Sequence, residues 1–217
     1  MRRAFFIFLT AVASLVASAQ SAFYNAVNSA AWSGGKYKGF IEAGALKGVG
    51  SHNMDMIDIL TTHGALIGDS FFVGAGLGAT ILLTDNEFDT SSDRYNDVTT
   101  KAVMIPLYAD MRYTFGSYDA TIRPFVDLKL GASLLVSNDY VAVGDRYIDN
   151  DRAMAYISPT FGVRFSTSAG IGINLGVTYN LISQRLYYYD DYDYYYHYYN
   201  YDGAILHAIG ARLQIEW

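Results

Sequence analysis

The last fourteen residues, Ala204 to Trp217, alternate two kinds of side chain up to the final position. One parity reads Ile205, His207, Ile209, Ala211, Leu213, Ile215 and Trp217; the other reads Leu206, Ala208, Gly210, Arg212, Gln214 and Glu216. A period of two marks a strand whose faces meet different surroundings, and it runs here beyond the ~5 or 6 residues of an average soluble strand. The length suits a tilted strand crossing a bilayer, which takes ~9 to 11 residues. Arg212, Gln214 and Glu216 cannot face hydrocarbon cheaply, so they face an interior that supplies partners. An open sheet edge in a bilayer would leave backbone groups without hydrogen bonds, so the sheet must close on itself.

Seven further segments repeat the pattern from residue 36 onward. Tyr37 to Lys47 sets Ile41, Ala43 and Ala45 against Phe40, Glu42 and Gly44; about Met54 to Leu66 sets Ile57, Ile59 and Thr61 against Asp58, Leu60 and Thr62. Phe71 to Leu83 carries Gly74, Gly76 and Gly78 on one parity. Val103 to Phe115 sets Ile105, Leu107 and Met111 against Tyr108, Asp110 and Arg112, and Ile122 to Leu134 sets Val126, Leu128 and Leu130 against Arg123, Asp127 and Lys129. Ile157 to Phe165 sets Phe161 and Val163 against Ser158, Thr160 and Arg164, and Ile171 to Asn180 sets Ile173, Leu175 and Val177 against Asn174, Gly176 and Thr178. Eight such segments predict an all-β chain folded as an eight-stranded antiparallel transmembrane up-and-down β-barrel.

Two features that parity does not force agree with this. Short turns around Gly68-Asp69, Gly116-Ser117 and Ser168-Ala169-Gly170 alternate with long polar connections at 84–101, 137–152 and 184–203, the pattern of periplasmic turns and outer loops. The first outer connection, Gly48 to Asn53, is the short exception. The lipid-facing parity also puts Tyr37, Phe71, Tyr113, Phe115, Phe165 and Trp217 near the periplasmic boundary, where barrels carry an aromatic girdle.

Met1-Arg2-Arg3, an apolar run from Ala4 to Val16 and Ala17-Ser18-Ala19 read as a signal peptide over 1–19, cleaved after Ala19. Residues 20–35 read as a periplasmic N-terminal linker, and 36–217 as the outer-membrane barrel. No later apolar run approaches the ~20 residues of a membrane helix. The chain contains no Cys, so disulfides and lipid attachment through Cys are excluded. Cleavage leaves 13 basic and 21 acidic residues, a net charge of −8 that argues against a nucleic-acid partner.

That charge is unevenly placed. The inward parity carries Glu42, Asp58, Asp110, Asp127 and Glu216 against Arg112, Arg123, Lys129, Arg164 and Arg212, five acids balanced by five bases. An eight-stranded barrel has room inside only for its own side chains, so these predict a packed, paired lumen network. The three long outer connections hold 13 acids and 5 bases, which accounts for the whole excess.

Phe71-Phe72-Val73-Gly74-Ala75-Gly76-Leu77-Gly78, Ile105-Pro106-Leu107-Tyr108-Ala109-Asp110-Met111-Arg112-Tyr113, Pro124-Phe125-Val126-Asp127-Leu128-Lys129-Leu130-Gly131 and Ile157-Ser158-Pro159 with Gly162-Val163-Arg164-Phe165 resemble strands of the small porin-like outer-membrane β-barrel domain proteins of Gram-negative bacteria. The resemblance covers roughly 36–217 and carries no catalytic signature. It implies insertion in the outer membrane among its lipids and lipopolysaccharide. It also implies that an aromatic final residue, here Trp217 where Phe is commoner, is read by the barrel assembly machinery.

Gly74-x-Gly76-x-x-Ala79 matches a dinucleotide fingerprint only formally, because Ala79 to Leu83 continues as strand where a Rossmann turn opens a helix. His52, His63, His197 and His207 show no metal-ligand spacing, and no cofactor or metal is expected. Ser51, His52 and Asp55 near the outer edge are the residues a rim acyltransferase or deacylase would use, but adjacency in sequence does not make a triad. The segment from Leu186 to Asp202 interleaves ten tyrosines with Asp190, Asp191, Asp193 and His197. Tyr194, Tyr195, Tyr196, Tyr198 and Tyr199 suit adaptable recognition of an extracellular ligand, since Tyr offers amphipathic contact at low entropic cost. The same tyrosines could extend the last hairpin and mark the interface, and the aspartates could bind divalent cations. The sequence is read as a non-enzymatic barrel with a structural or surface-interaction role, a narrow pore or rim enzyme being the alternatives.

Overall fold

The computed structural model describes residues 36–50, 54–83, 98–99, 101–136, 140–143, 146–148, 153–167, 170–187 and 201–217. The expected signal peptide and linker lie outside these. Eight long strands make the fold: β1 (Lys36–Val49), β2 (Asp55–Ile67), β3 (Phe71–Leu83), β4 (Lys101–Thr114), β5 (Ile122–Leu135), β6 (Met154–Ser166), β7 (Gly172–Tyr187) and β8 (Tyr201–Glu216). Each pairs antiparallel with the next, and β8 pairs back onto β1 from Phe40–Glu216 to Val49–His207, so the sheet is a closed eight-stranded barrel with no free edge.

Period two is realised as two faces. Ile41, Ile59, Leu107, Val126, Phe161, Leu175 and Leu213 stand outward and exposed, while Glu42, Leu60, Tyr108, Asp127, Thr160, Asn174 and Gln214 are buried inside. An outer wall this apolar is rare among soluble proteins and matches a hydrocarbon-facing band. Phe71, Tyr113, Phe115 and Phe165 are exposed around the end with the short turns, and Tyr113 meets Phe115 edge-on at 4.9 Å between centroids. Gly68, Gly116 and Gly170 turn the chain there with φ of 63°, 88° and 78°, a region L side chains avoid.

Three observations refine the expected boundaries. β6 begins at Met154, three residues before the expected start, and β7 and β8 run on to pair Tyr187 with Tyr201. The long connections are partly strand: Val98–Thr99 pairs parallel with Tyr140–Val143, which pairs with Arg146–Ile148, whose Tyr147 and Ile148 pair with Tyr187 and Leu186 of β7. Finally, two ladders are interrupted at prolines. Between β3 and β4 the register passes from Leu77–Leu107 to Thr80–Met104, skipping Pro106; between β6 and β7 it passes from Thr160–Thr178 to Ile157–Leu181, skipping Pro159. Proline has no N–H for the ladder, and a closed barrel offers no edge strand on which to hide it.

Candidate functional site

The lumen is filled in layers. At the turn end, Glu216 is bound by Lys38 and by Arg164, whose Nε and second terminal nitrogen donate at 2.7 and 3.0 Å. Arg123 forms no ion pair among the described residues. Its guanidinium donates to the carbonyls of Asp69, Thr114, Phe115 and Gly116, tying two turns together. Above it the Arg112 guanidinium lies between the Phe40 and Phe125 rings, 4.1 and 4.6 Å from their centroids.

The middle layer holds most of the charge. Arg112 donates to Asp127 at 2.5 Å and to the Gln214 oxygen at 2.7 Å. The Lys129 ammonium lies 2.9 Å from Asp127, 3.2 Å from Glu42 and 3.3 Å from Asp110. Glu42 also accepts from Thr62 and Gln214, both at 3.0 Å. Arg212 meets Asp58 at 2.7 Å and donates to Ser158 at 3.1 Å, while Asp58 further accepts from Thr80 and Asn180. Glu42, Lys129 and Arg212 are each 0 % exposed. Charges so sealed are tolerated only when paired and hydrogen-bonded, and removing one partner is far more costly than never having had the pair.

Interior glycines make the layers fit. A Cβ at Gly76 would come 2.5 Å from the Tyr108 ring, and one at Gly74 2.6 Å from the end of the Phe72 ring. Tyr108 thereby lies over Gly76 of β3 and shares a 3.0 Å hydrogen bond with Thr62 on β2.

The loop-end half is different in kind. Leu46, Met54, Met56, Leu82, Met104, Met154, Tyr156, Ile182 and Leu206 belong to one buried apolar cluster to which every barrel strand contributes. The polar network therefore occupies the turn-end and middle layers, and a hydrocarbon-like plug lies above it.

All ten expected lumen charges are inside the barrel and lie in these layers. Lys38 adds a sixth base to the five-to-five balance of the inward parity, and Arg123 serves carbonyls in place of an acid. Trp217 follows β8 at the seam, with backbone hydrogen bonds of 3.0 and 3.1 Å to Gly39. On the outward face His63 meets the Tyr37 hydroxyl at 2.7 Å, and His207 meets that of Tyr179 at 2.8 Å. Asp55 is engaged by Lys47 and by the Gly48 N–H. Ser51, His52 and Tyr194, Tyr195, Tyr196, Tyr198 and Tyr199 lie outside the described residues.

Among solved structures the chain is similar to Neisserial surface protein A, with 12% identity over 84% of this chain and 97% of that one and a TM-score of 0.52. The fold is that of an eight-stranded outer-membrane barrel. At such identity the likeness is one of fold alone. Two lower-scoring matches are the outer membrane protein AlkL (12% identity, 85% of this chain and 90% of that one, TM-score 0.48) and the outer membrane enzyme PagL (10%, 81% and 97%, 0.45). No family model matches the sequence, and no curated protein does.

Proposed function

We propose that the protein is a Gram-negative outer-membrane barrel, exported through a cleaved signal peptide, that keeps its lumen shut and presents an acidic, tyrosine-rich hairpin to the exterior. It acts without catalysis, as a structural or surface-interaction protein among outer-membrane lipids and lipopolysaccharide. The carrying observation is the pairing of a sealed lumen with an overlong last hairpin. A hydrated solute would have to displace the Met- and Leu-rich plug and then cross charges already paired, which disfavours a pore. The β7–β8 hairpin, at sixteen residues per strand, outreaches its neighbours and is braced by the small sheet at Arg146–Ile148. A braced hairpin is a rigid mount for a recognition segment at 188–200.

The test is a binding screen of the refolded barrel against glycans, host proteins and lipopolysaccharide, with and without residues 187–201, run beside planar-bilayer conductance. Binding that needs the hairpin, with no steady conductance, is expected. Steady conductance would favour a pore. Altered lipid A or phospholipid acylation on overexpression would favour a rim enzyme.

A further inference from the structure

The outward wall is not evenly convex. Between β4 and β7 it holds a groove of about 500 Å³. Leu128 and Pro159, opposite each other across the β5–β6 ladder, lie in it, with Met111, Phe161, Val177 and Tyr179 around them. Leu128 is sunken: Ile122, Val126, Leu130 and Leu134, the other large outward side chains of β5, are all exposed, whereas Leu128 is half-buried. Phe161 at 62 % and Val177 at 59 % exposed stand well clear of it. Pro159 accounts for part of this relief. It places a compact ring where the β6–β7 ladder is interrupted, and pairing resumes only at Ile157–Leu181. Arg112, Asp127, Thr160 and Thr178 also border the groove, but they are buried members of the inward parity.

We propose that this groove seats one acyl chain of a phospholipid from the leaflet on the turn-end side. The inference rests on the reading of the barrel as bilayer-spanning. The groove is continuous with the hydrocarbon-facing wall, so whatever fills it comes from the same surroundings. Its outward-facing lining carries no charge, and a narrow apolar slot suits a jointed methylene chain. Its position chooses the leaflet. Phe71 and Tyr113 line the groove at the aromatic ring of the turn end. Tyr179 lies seven residues up β7 from Gly172, about 18 Å at ~3.3 Å per residue and ~40° tilt, which is past the middle of an apolar band ~25 Å tall. The groove thus rises from the turn-end interface to past the bilayer middle, and a chain entering from that interface meets it along the chain's whole length.

The experiment uses the full barrel in vesicles of phosphatidylethanolamine and phosphatidylglycerol containing a phospholipid with a photoactivatable diazirine in mid-chain. Adducts are mapped by mass spectrometry after irradiation. Adducts on Leu128 and Met111 should exceed severalfold those on Ile41, Ile59 and Leu213, although these three are 52 %, 58 % and 48 % exposed. Leu128→Trp fills the slot and should abolish the excess while heat-resistant migration stays normal. Evenly spread adducts, or an excess that survives Leu128→Trp, overturn the acyl-chain site alone. Adducts missing from Leu128 and Met111 yet present on Ile41, Ile59 and Leu213 overturn it in favour of a second copy covering the groove. Adducts absent from the whole outward wall overturn the bilayer-spanning reading and the groove together.

Discussion

The indole of Trp217 lies over Gly39, so close that a Cβ at residue 39 would stand 2.6 Å from two of its ring carbons. His63 meets the same indole edge-on at 6.1 Å between centroids. The closing seam is thus held by a seated side chain as well as by its ladder.

Gly39→Val should unseat Trp217 while leaving the N–H and C=O of residue 39 in place. Overpacking of this kind costs ~1–3 kcal/mol, readable by urea unfolding in vesicles. Deleting Trp217 should lower outer-membrane yield yet leave near-normal heat-resistant migration in the protein that inserts, because the lumen pairs are untouched. Unchanged yield in cells would reject Trp217 as an assembly signal.

Adjacent residues of β5 should respond by different physics. Leu128→Arg puts a charge on the lipid face and should cost ~2–4 kcal/mol near the midplane. Asp127→Asn removes the carboxylate shared by Arg112 and Lys129 and should cost ~3–5 kcal/mol by leaving buried cations short of a partner. Unfolding midpoints of both in the same vesicles, with an apolar label reaching position 128 and not 127, check the assignment.

Gly76→Val should displace the Tyr108 ring and break its contact with Thr62. A loss of ~1–3 kcal/mol is expected, and adding Tyr108→Ala should recover the share due to the ring but not the share due to the Thr61 carbonyl oxygen, 2.6 Å from the same Cβ. A double-mutant cycle of unfolding free energies measures that coupling; strict additivity would mean the ring does not depend on the glycine.

The inward or outward direction of each strand residue was legible because period two is a local property. Glu42, Asp58, Asp110, Lys129 and Arg212 could be assigned to the lumen without knowing any neighbour. Their partners could not be assigned so, since Arg212 meets Asp58 only through registers that join β8 to β2 by way of β1. The apolar plug was hidden for the same reason. Met54, Met104, Met154 and Leu206 are far apart in sequence and share a layer only once shear and register are set. The small sheet of Val98–Thr99, Tyr140–Val143 and Arg146–Ile148 carries too little alternation to announce itself. Parity likewise marks Leu128 as outward but says nothing of how deeply it sits.

Replacing Tyr194, Tyr195, Tyr196, Tyr198 and Tyr199 by Ser should remove ligand binding while leaving the thermal melt of the barrel unchanged, if the segment recognises a partner. Replacing Asp190, Asp191 and Asp193 by Asn should chiefly slow association and flatten its salt dependence, because screened rim charges steer encounter more than they hold the complex. A Ser variant that melts lower, with no ligand distinguishing it from the parent, would mean the tyrosines serve only to extend the hairpin. Melts and association rates measured on both variants decide.

β8 runs unbroken from Tyr201, beside the tyrosine-rich segment, to Glu216, next to the seated indole, and it is laddered to β7 on one side and β1 on the other. A partner pulling on the outer hairpin would therefore load this strand along its axis. Antiparallel ladder bonds lie perpendicular to that direction, so they would resist in shear, many at once, and would not unzip one by one. The strand that closes the cylinder is thus also the one that would bear tension from an attached surface.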